Sequence, residues 1–498
     1  MGSSYILVNK ADNVVVTLKN YEKGETLTVQ DHNITLKEEI LVGHKIAIKK
    51  IKKGENVIKY GFPIGHAKET IEVGNWVHTH NIQTNLSGTL NYSYTPNLEA
   101  SLPVNSKERV FKGYKRANGE VGIRNEIWII NTVGCINKTA ELLAKTADRQ
   151  YQGQGIDGIY HYPHLFGCSQ LGDDLHNTQK ILSDLVHHPN AAGVLVLGLG
   201  CENNHIAEFK KVIGDFDENK VKFLGVQEAD DELEEGLTLL DELVLYAQQF
   251  KREDVPVSKL KIGLKCGGSD GFSGITANPL VGSFSDKLIS HGGTSILTEV
   301  PEMFGAETLL MNRAKNEKVF NEIVNLVNDF KQYFLKHDQV VYENPSPGNK
   351  KGGITTLEEK SLGCVQKGGF APVNDVLPYG GRVTNPGLNL VQGPGNDLVS
   401  VTALAASGAH IVIFTTGRGT PFGGPVPTVK MATNTALAEK KKNWIDFNAG
   451  ELVNGKNMEE LTEDLFEYIL KLASGEVQTN NEKNGFKEIS IFKDGVIL

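Results

Sequence analysis

Apolar and polar positions divide the chain into two kinds of sequence. Up to about residue 97, short alternating runs at 14–18, 44–48, 57–60 and 76–79 are separated by turn triplets containing glycine, which predicts a small β module of hairpins, a barrel or clip. Glu22-Lys23-Gly24-Glu25, Lys52-Lys53-Gly54-Glu55 and Glu72-Val73-Gly74-Asn75 each stand before a predicted strand, forming a weak internal repeat. Beyond residue 113 the pattern changes. Apolar strands at 127–133, 159–166, 193–199, 260–264, 294–298, 388–391 and 410–414 alternate with helical periodicity, including 138–149, 230–250, 278–290 and 317–336. Such alternation predicts a doubly wound α/β fold. The expected organisation is a β module over 1–97, a polar linker over 98–112, and two α/β parts over 113–255 and 256–498, the last boundary lying near Pro256. A helix is expected after Pro301 through Arg313, and the Pro- and Gly-rich stretch 344–353 reads as a shaped loop.

Four strands end at a cysteine: Gly134-Cys135, Gly167-Cys168, Gly200-Cys201 and Lys265-Cys266, the last opening a glycine-rich stretch that carries Asp270 and runs to Gly282. Ligands of open parallel sheets bind outside the carboxyl ends of the strands, so this shared address is a functional signal. Core packing beside close-packed glycines is the competing account. Glu299 also stands at a strand exit. Asn396 lies in a glycine turn, and Arg418 sits between Gly417 and Gly419 in another, where freed amides could cradle an anion and the guanidinium grip a carboxylate. In the β module, alternation on a strand puts His78 and His80 on one face, with His44 as a third possible metal ligand.

Composition narrows the classes. The chain has 498 residues, 40% hydrophobic and 22% charged, and no apolar run of the ~20 residues that a membrane span needs. No secretory signal is visible, and five cysteines without a CxxC pair fit a reducing compartment, so a cytoplasmic protein is expected. A net charge of −9 with no long basic block argues against nucleic acid. Neither GxxxxGK[ST] nor a strand-to-helix GxGxxG occurs, which argues against nucleotide-dependent chemistry. Thiols, imidazoles, Asp270, Glu299 and an anion grip together suit iron or zinc and removal of a proton α to a carboxylate, with an acid assisting loss of a β-hydroxyl.

Segments 113–125, 166–174, 198–204, 265–282, 298–305, 344–353 and 414–424 together resemble the altronate dehydratase family, over nearly the whole chain, and the N-terminal part resembles its SAF-type β module. The resemblance implies dehydration of D-altronate to 2-dehydro-3-deoxy-D-gluconate in galacturonate breakdown, with a requirement for Fe²⁺. Related branches act on galactarate or, with the β module as a separate chain, on sulfolactate; one fused chain disfavours the second, and the His78/His80 pair resembles the altronate branch. Two pictures of the iron stay open: a mononuclear Fe²⁺ on His44, His78 and His80, or iron or an iron-sulfur cluster on Cys168, Cys201 and Cys266, with Cys135 as a further ligand. Lys265, Asp270 and Glu299 are the expected catalytic residues, with Arg418, Gly417, Gly419 and Asn396 binding substrate. Lys265, His44 and Tyr60 are alternative general bases. The expected partner is a small sugar acid, with no nucleic acid or membrane and with self-association into a homo-oligomer; a sugar-acid sensor without turnover is the reading from another class.

Overall fold

The computed structural model describes residues 4–98 and 108–498. Nine short strands build the N-terminal module. Tyr5–Ile6, Val14–Thr17, Lys45–Ala47 and Trp76–Val77 form an antiparallel sheet, a second sheet joins Asn56–Lys59, Phe62–Ala67 and Ile82–Gln83, and Thr26–Val29 pairs with His32–Thr35. The repeated triplets are one turn used three times. The first residue's amide donates to the fourth residue's side chain (Glu22 to Glu25 Oε2 2.6 Å, Lys52 to Glu55 Oε2 2.8 Å, Glu72 to Asn75 Oδ1 2.9 Å), while Gly24, Gly54 and Gly74 take φ of +89°, +83° and +87°. Residues other than glycine rarely adopt that conformation, which is why the repeat keeps it.

The α/β region holds two parallel sheets. The first runs in the order Gly158–His161, Glu126–Asn131, Ala191–Gly198, Val221–Gly225. The second runs Val373–Leu377, Gly387–Val391, Thr294–Leu297, Lys261–Cys266, Ile411–Thr416, Thr428–Ala432, Phe447–Asn448. The chain leaves Lys261–Cys266 towards Thr294–Leu297 and later returns on its other side at Ile411–Thr416. The order therefore reverses at Lys261–Cys266, the position where open α/β sheets form a ligand crevice.

Several boundaries differ from expectation. Of the stretch read as a linker, residues 99–107 lie outside the described residues, and its end belongs to strand Val110–Lys115, which pairs antiparallel with Arg252–Pro256. Thus the polar segment around Pro256 is itself a strand at the edge of its sheet, where a missing amide is tolerated. The helix expected after Pro301 is broken into a 3-10 turn, Val300–Glu302, and a helix, Glu307–Met311, separated by Gly305 at φ +87°. Inside the loop at 344–353 is a short helix, Pro347–Lys351, closed by a capping box between Ser346 and Asn349. Its proline occupies the first helical turn, where proline favours a helix.

The β module is docked rather than tethered. One apolar core runs from Val57 and Ile64 through Phe111 and Val255 to Leu280 and Leu362. Across the same junction, Lys45 and Lys59 of the module meet Glu359 at 2.9 and 2.8 Å, all three side chains at most 2% exposed. Burial alone would raise the Glu359 carboxyl, but the two ammonium groups outweigh it and hold it well below the usual carboxylate range.

Candidate active site

The carboxyl end of Lys261–Cys266 carries a dense buried ion cluster. Lys265 Nζ donates to Glu299, to Cys266 O at 2.7 Å and Gly395 O at 3.1 Å, and pairs with Asp397 at 3.1 Å. Glu299 also accepts from the Cys266 amide at 3.0 Å and pairs with Lys367 at 3.1 Å, while its own backbone sits at φ +68°. Strained non-glycine backbone of this kind persists only where its surroundings hold it, and it clusters at functional sites. Burial alone would lower Lys265, but Glu299, Asp397 and Glu302 outweigh it and hold the ammonium well above its ordinary value. A group held protonated in this way is a poor general base.

Beside this pair lies a thiol pair. Cys266 Sγ and Cys364 Sγ are 3.2 Å apart, Glu302 Oε2 is 3.3 and 3.1 Å from them, and Lys367 Nζ is 3.0 Å from Cys266 Sγ. Among the described residues, Cys266, Glu302 and Cys364 form the group that brings three potential metal ligands within 4.8 Å of one another. Their charges are already matched: Lys360 sits 2.9 Å from Glu302, Lys367 on Cys266, and Lys360, Lys265 and Lys367 hold the Glu302 carboxyl well below the usual range against its burial. A cation added there would face three ammonium groups, so the set does not fit a metal ion. The neighbouring hollow, lined by Glu299, Glu302, Cys364 and Lys367, leaves no room even for a water molecule. A small-molecule ligand therefore does not enter it.

Those loops pack backbone on backbone. A Cβ on Gly271 or Gly353 would strike Gly43 O of the β module, and one on Gly417 would strike Asp270. Asp270 is spent on this packing, accepting from Phe272 N at 3.1 Å, Thr433 Oγ1 at 2.9 Å, Asn434 Nδ2 at 3.2 Å and Ser273 Oγ at 3.2 Å. Asp270, expected to be catalytic, thus staples these loops together. Asn396, expected to bind substrate, instead caps helix Asp397–Ala406 by accepting from Val399 N. The amides expected to cradle an anion are also engaged: Gly417 N donates to Gly268 O at 3.0 Å and Gly419 N to Thr416 Oγ1 at 2.9 Å. What remains is Arg418, exposed beside Gly348 and Gly268.

The histidines lie across this junction, but not as a strand pair. The strand ends at Val77, and His78 to Asn81 form a turn in which Asn81 N donates to His78 O and Asn81 Oδ1 accepts from His78 N, each at 3.0 Å. Trp76 gathers the rings, stacking on His78 at 4.8 Å and tilting against His80 at 5.2 Å, and the His44 and His78 ring centroids are 5.2 Å apart. Both His44 nitrogens are occupied: Nδ1 accepts from Trp76 Nε1 at 3.1 Å, and Nε2 lies 3.3 Å from Lys351 O. His44 thus offers neither a free metal-ligand atom nor a free base, and the three-histidine iron site does not fit. His78 keeps Nδ1 buried without a partner, and burial, helped by Lys45 and His44, lowers its pKa to about 3, so the ring is neutral. Tyr60 is buried with its pKa raised by that burial, which keeps its hydroxyl protonated.

The set Cys168, Cys201, Cys266 also separates. Cys135, Cys168 and Cys201 are exposed at the first sheet, whereas Cys266 is buried at the second with Cys364, which the sequence reading missed together with Glu302, Lys360 and Lys367. The missed signal was a fifth cysteine on the wholly buried helix Leu357–Cys364, which also carries Glu358, Glu359 and Lys360.

Three family models cover the chain: the Altronate/galactarate dehydratase SAF domain over residues 3–85, the D-galactarate dehydratase/Altronate hydrolase second domain over 113–248, and the D-galactarate/Altronate dehydratase C-terminal region over 257–497. Over 497 residues the chain is 56% identical to the altronate dehydratase of Bacillus subtilis (strain 168), covering 99% of this chain and 100% of the relative. It is 53% identical over 495 residues to the altronate dehydratase of Escherichia coli (strain K12), with 99% and 100% covered. Galactarate dehydratase (L-threo-forming) of the same strain is 33% identical over 517 residues, with 98% and 96% covered. With all three parts matched in order and full-length relatives at this identity, the chain belongs to the altronate/galactarate dehydratase family.

Proposed function

We propose that the chain is a hydro-lyase that converts D-altronate to 2-dehydro-3-deoxy-D-gluconate. The observation that carries this reading is 53–56% identity over the full length of two altronate dehydratases, against 33% to galactarate dehydratase. The reaction takes the hydrogen from C2 and the hydroxyl from C3; the enol left behind becomes the 2-keto acid, and the two fragments leave as water without any oxidant. Arg418 is the exposed cation at the loop mouth and takes the substrate carboxylate. His78 Nδ1, without a protein partner at the junction of module and sheet, is the proton acceptor in this reading; with its pKa lowered to about 3 by burial, it takes a proton only once the negative charge of bound substrate raises that pKa. The Lys265, Glu299 and Lys367 chain beneath the loops holds the strand exit in shape.

The test is turnover of D-altronate by the anaerobically prepared chain with ferrous salt and reductant, read as 2-keto acid formed. Faster turnover of galactarate would reassign the substrate. Binding without product would make the chain a sensor.

A further inference from the structure

We infer that Cys135, Cys168 and Cys201 form the binding site of an iron-sulfur cluster on the first parallel sheet, separate from the buried thiols of the second. Their strands are neighbours: Glu126–Asn131, which leads to Cys135, lies between Gly158–His161, which leads to Cys168, and Ala191–Gly198, which leads to Cys201. All run parallel, so the three thiols leave the same sheet edge on strands spaced ~4.8 Å apart.

The loops that carry them are tied together within a few residues of each cysteine. Gly134 N donates to Phe166 O at 2.9 Å, Asn204 N to Gly167 O at 3.1 Å, Ser169 N to Asn203 Oδ1 at 2.8 Å and Asn204 Nδ2 to Thr132 O at 3.2 Å. Glu202, the carboxylate nearest in sequence, is turned inward, accepting from Leu199 N, Gly200 N and Thr132. A preorganised edge results, on which three thiols are exposed. Core packing does not explain thiols that are outside the core, and exposed free thiols invite oxidation unless something holds them.

The donor type chooses the ligand class. An all-thiolate set is what iron-sulfur clusters take, each thiolate on a different iron, and three protein thiolates leave one iron of a four-iron cluster without a protein ligand. Binding takes the three thiols as thiolates and releases their protons. This site follows from the cysteine geometry and stands whether or not altronate is the substrate.

The experiment is anaerobic loading of the full chain with ferrous salt and sulfide, followed by iron and acid-labile sulfide analysis and absorption spectroscopy. About four irons and four sulfides per chain and a brown protein are expected. Cys135→Ser, Cys168→Ser and Cys201→Ser should each fall to the sulfide level of chain carried through without iron, whereas Cys364→Ser should load like the parent. Alkylation of the parent chain read by mass spectrometry needs no variant and covers any substitution that fails to fold: Cys135, Cys168 and Cys201 should be modified in the unloaded chain and protected in the loaded one. Iron bound without sulfide, sulfide retained in a Cys168→Ser, Cys201→Ser double variant, or equal alkylation before and after loading would overturn the site.

Discussion

The two parallel sheets use the same local device to opposite ends. Each brings cysteine to the carboxyl edge of a strand, yet Cys135, Cys168 and Cys201 stand in solvent, while Cys266 is buried against Cys364, Glu302 and Lys367. Environment, not residue type, sets the chemistry. On the second sheet three ammonium groups and three carboxylates close into a charge-matched cluster, where a thiol is one more polar group to satisfy. On the first, the Glu202 carboxylate turns inward and the thiols keep only long contacts, Cys201 Sγ to Gln227 Nε2 and Cys168 Sγ to Ser169 Oγ, each at 3.7 Å.

The largest expected effect tests how firmly the second sheet depends on buried charge. Glu359→Ala leaves Lys45 and Lys59 as unmatched buried cations at the junction with the β module. Breaking a buried pair in this way costs about 3–5 kcal/mol, so the urea midpoint should fall steeply, with the module's signal melting first. On the exposed sheet edge Cys168→Ser should shift the unloaded chain by no more than about 0.5 kcal/mol. Equal losses in the two variants would erase the contrast.

Next in size are effects on turnover. His78→Gln should lower kcat by ~100–10,000-fold with the far-UV spectrum unchanged, the range that a positioned base contributes. Arg418→Ala should act mainly on KM, raising it ~10–100-fold, the loss of a charged hydrogen bond worth about 1.5–3 kcal/mol. An unchanged KM would remove Arg418 from the substrate's path. Thiol titration then reads the comparison directly: the unloaded native chain should show three fast thiols and two slow ones, and urea should release all five.

Local features were legible in the sequence and long-range ones were not. Helix Glu317–Lys336 falls where its periodicity predicts, and the glycine triplets of the β module are real turns, because both signals are written in neighbouring residues. His78 and His80 misled because an alternating pair looks the same on a strand and on the turn they occupy. Asn396 and Asp270 look like ligand residues in glycine loops, but short polar side chains serve equally as caps and staples, and the partners that decide between these uses include Thr433, far along the chain. Cys364 was invisible as a partner of Cys266 because 98 residues separate them and the contact exists only once the second sheet is closed.

The smallest expected effect concerns pH, and it separates His78 from the merely structural histidines. Burial, Lys45 and His44 lower the His78 pKa from 6.5 in the unfolded chain to about 3, with Glu359 opposing and His80 adding to the shift. Between these values the unfolded chain binds a proton that the folded chain refuses. Stability therefore rises with pH across this window: the contribution is full above about 6.5 and is lost as pH falls towards 3. In His78→Gln that dependence disappears, so lowering the pH from 7 to 4.5 should lower the parent's urea midpoint relative to the variant's. His410, also lowered to about 3 by burial, lies at the opposite, amino end of the second sheet, where its Nδ1 accepts from Lys261 N. His410→Gln should flatten the stability curve in the same direction while leaving kcat near the parent value. If both variants lost turnover alike, the unpaired nitrogen of His78 would be a packing feature and the base would have to be sought elsewhere.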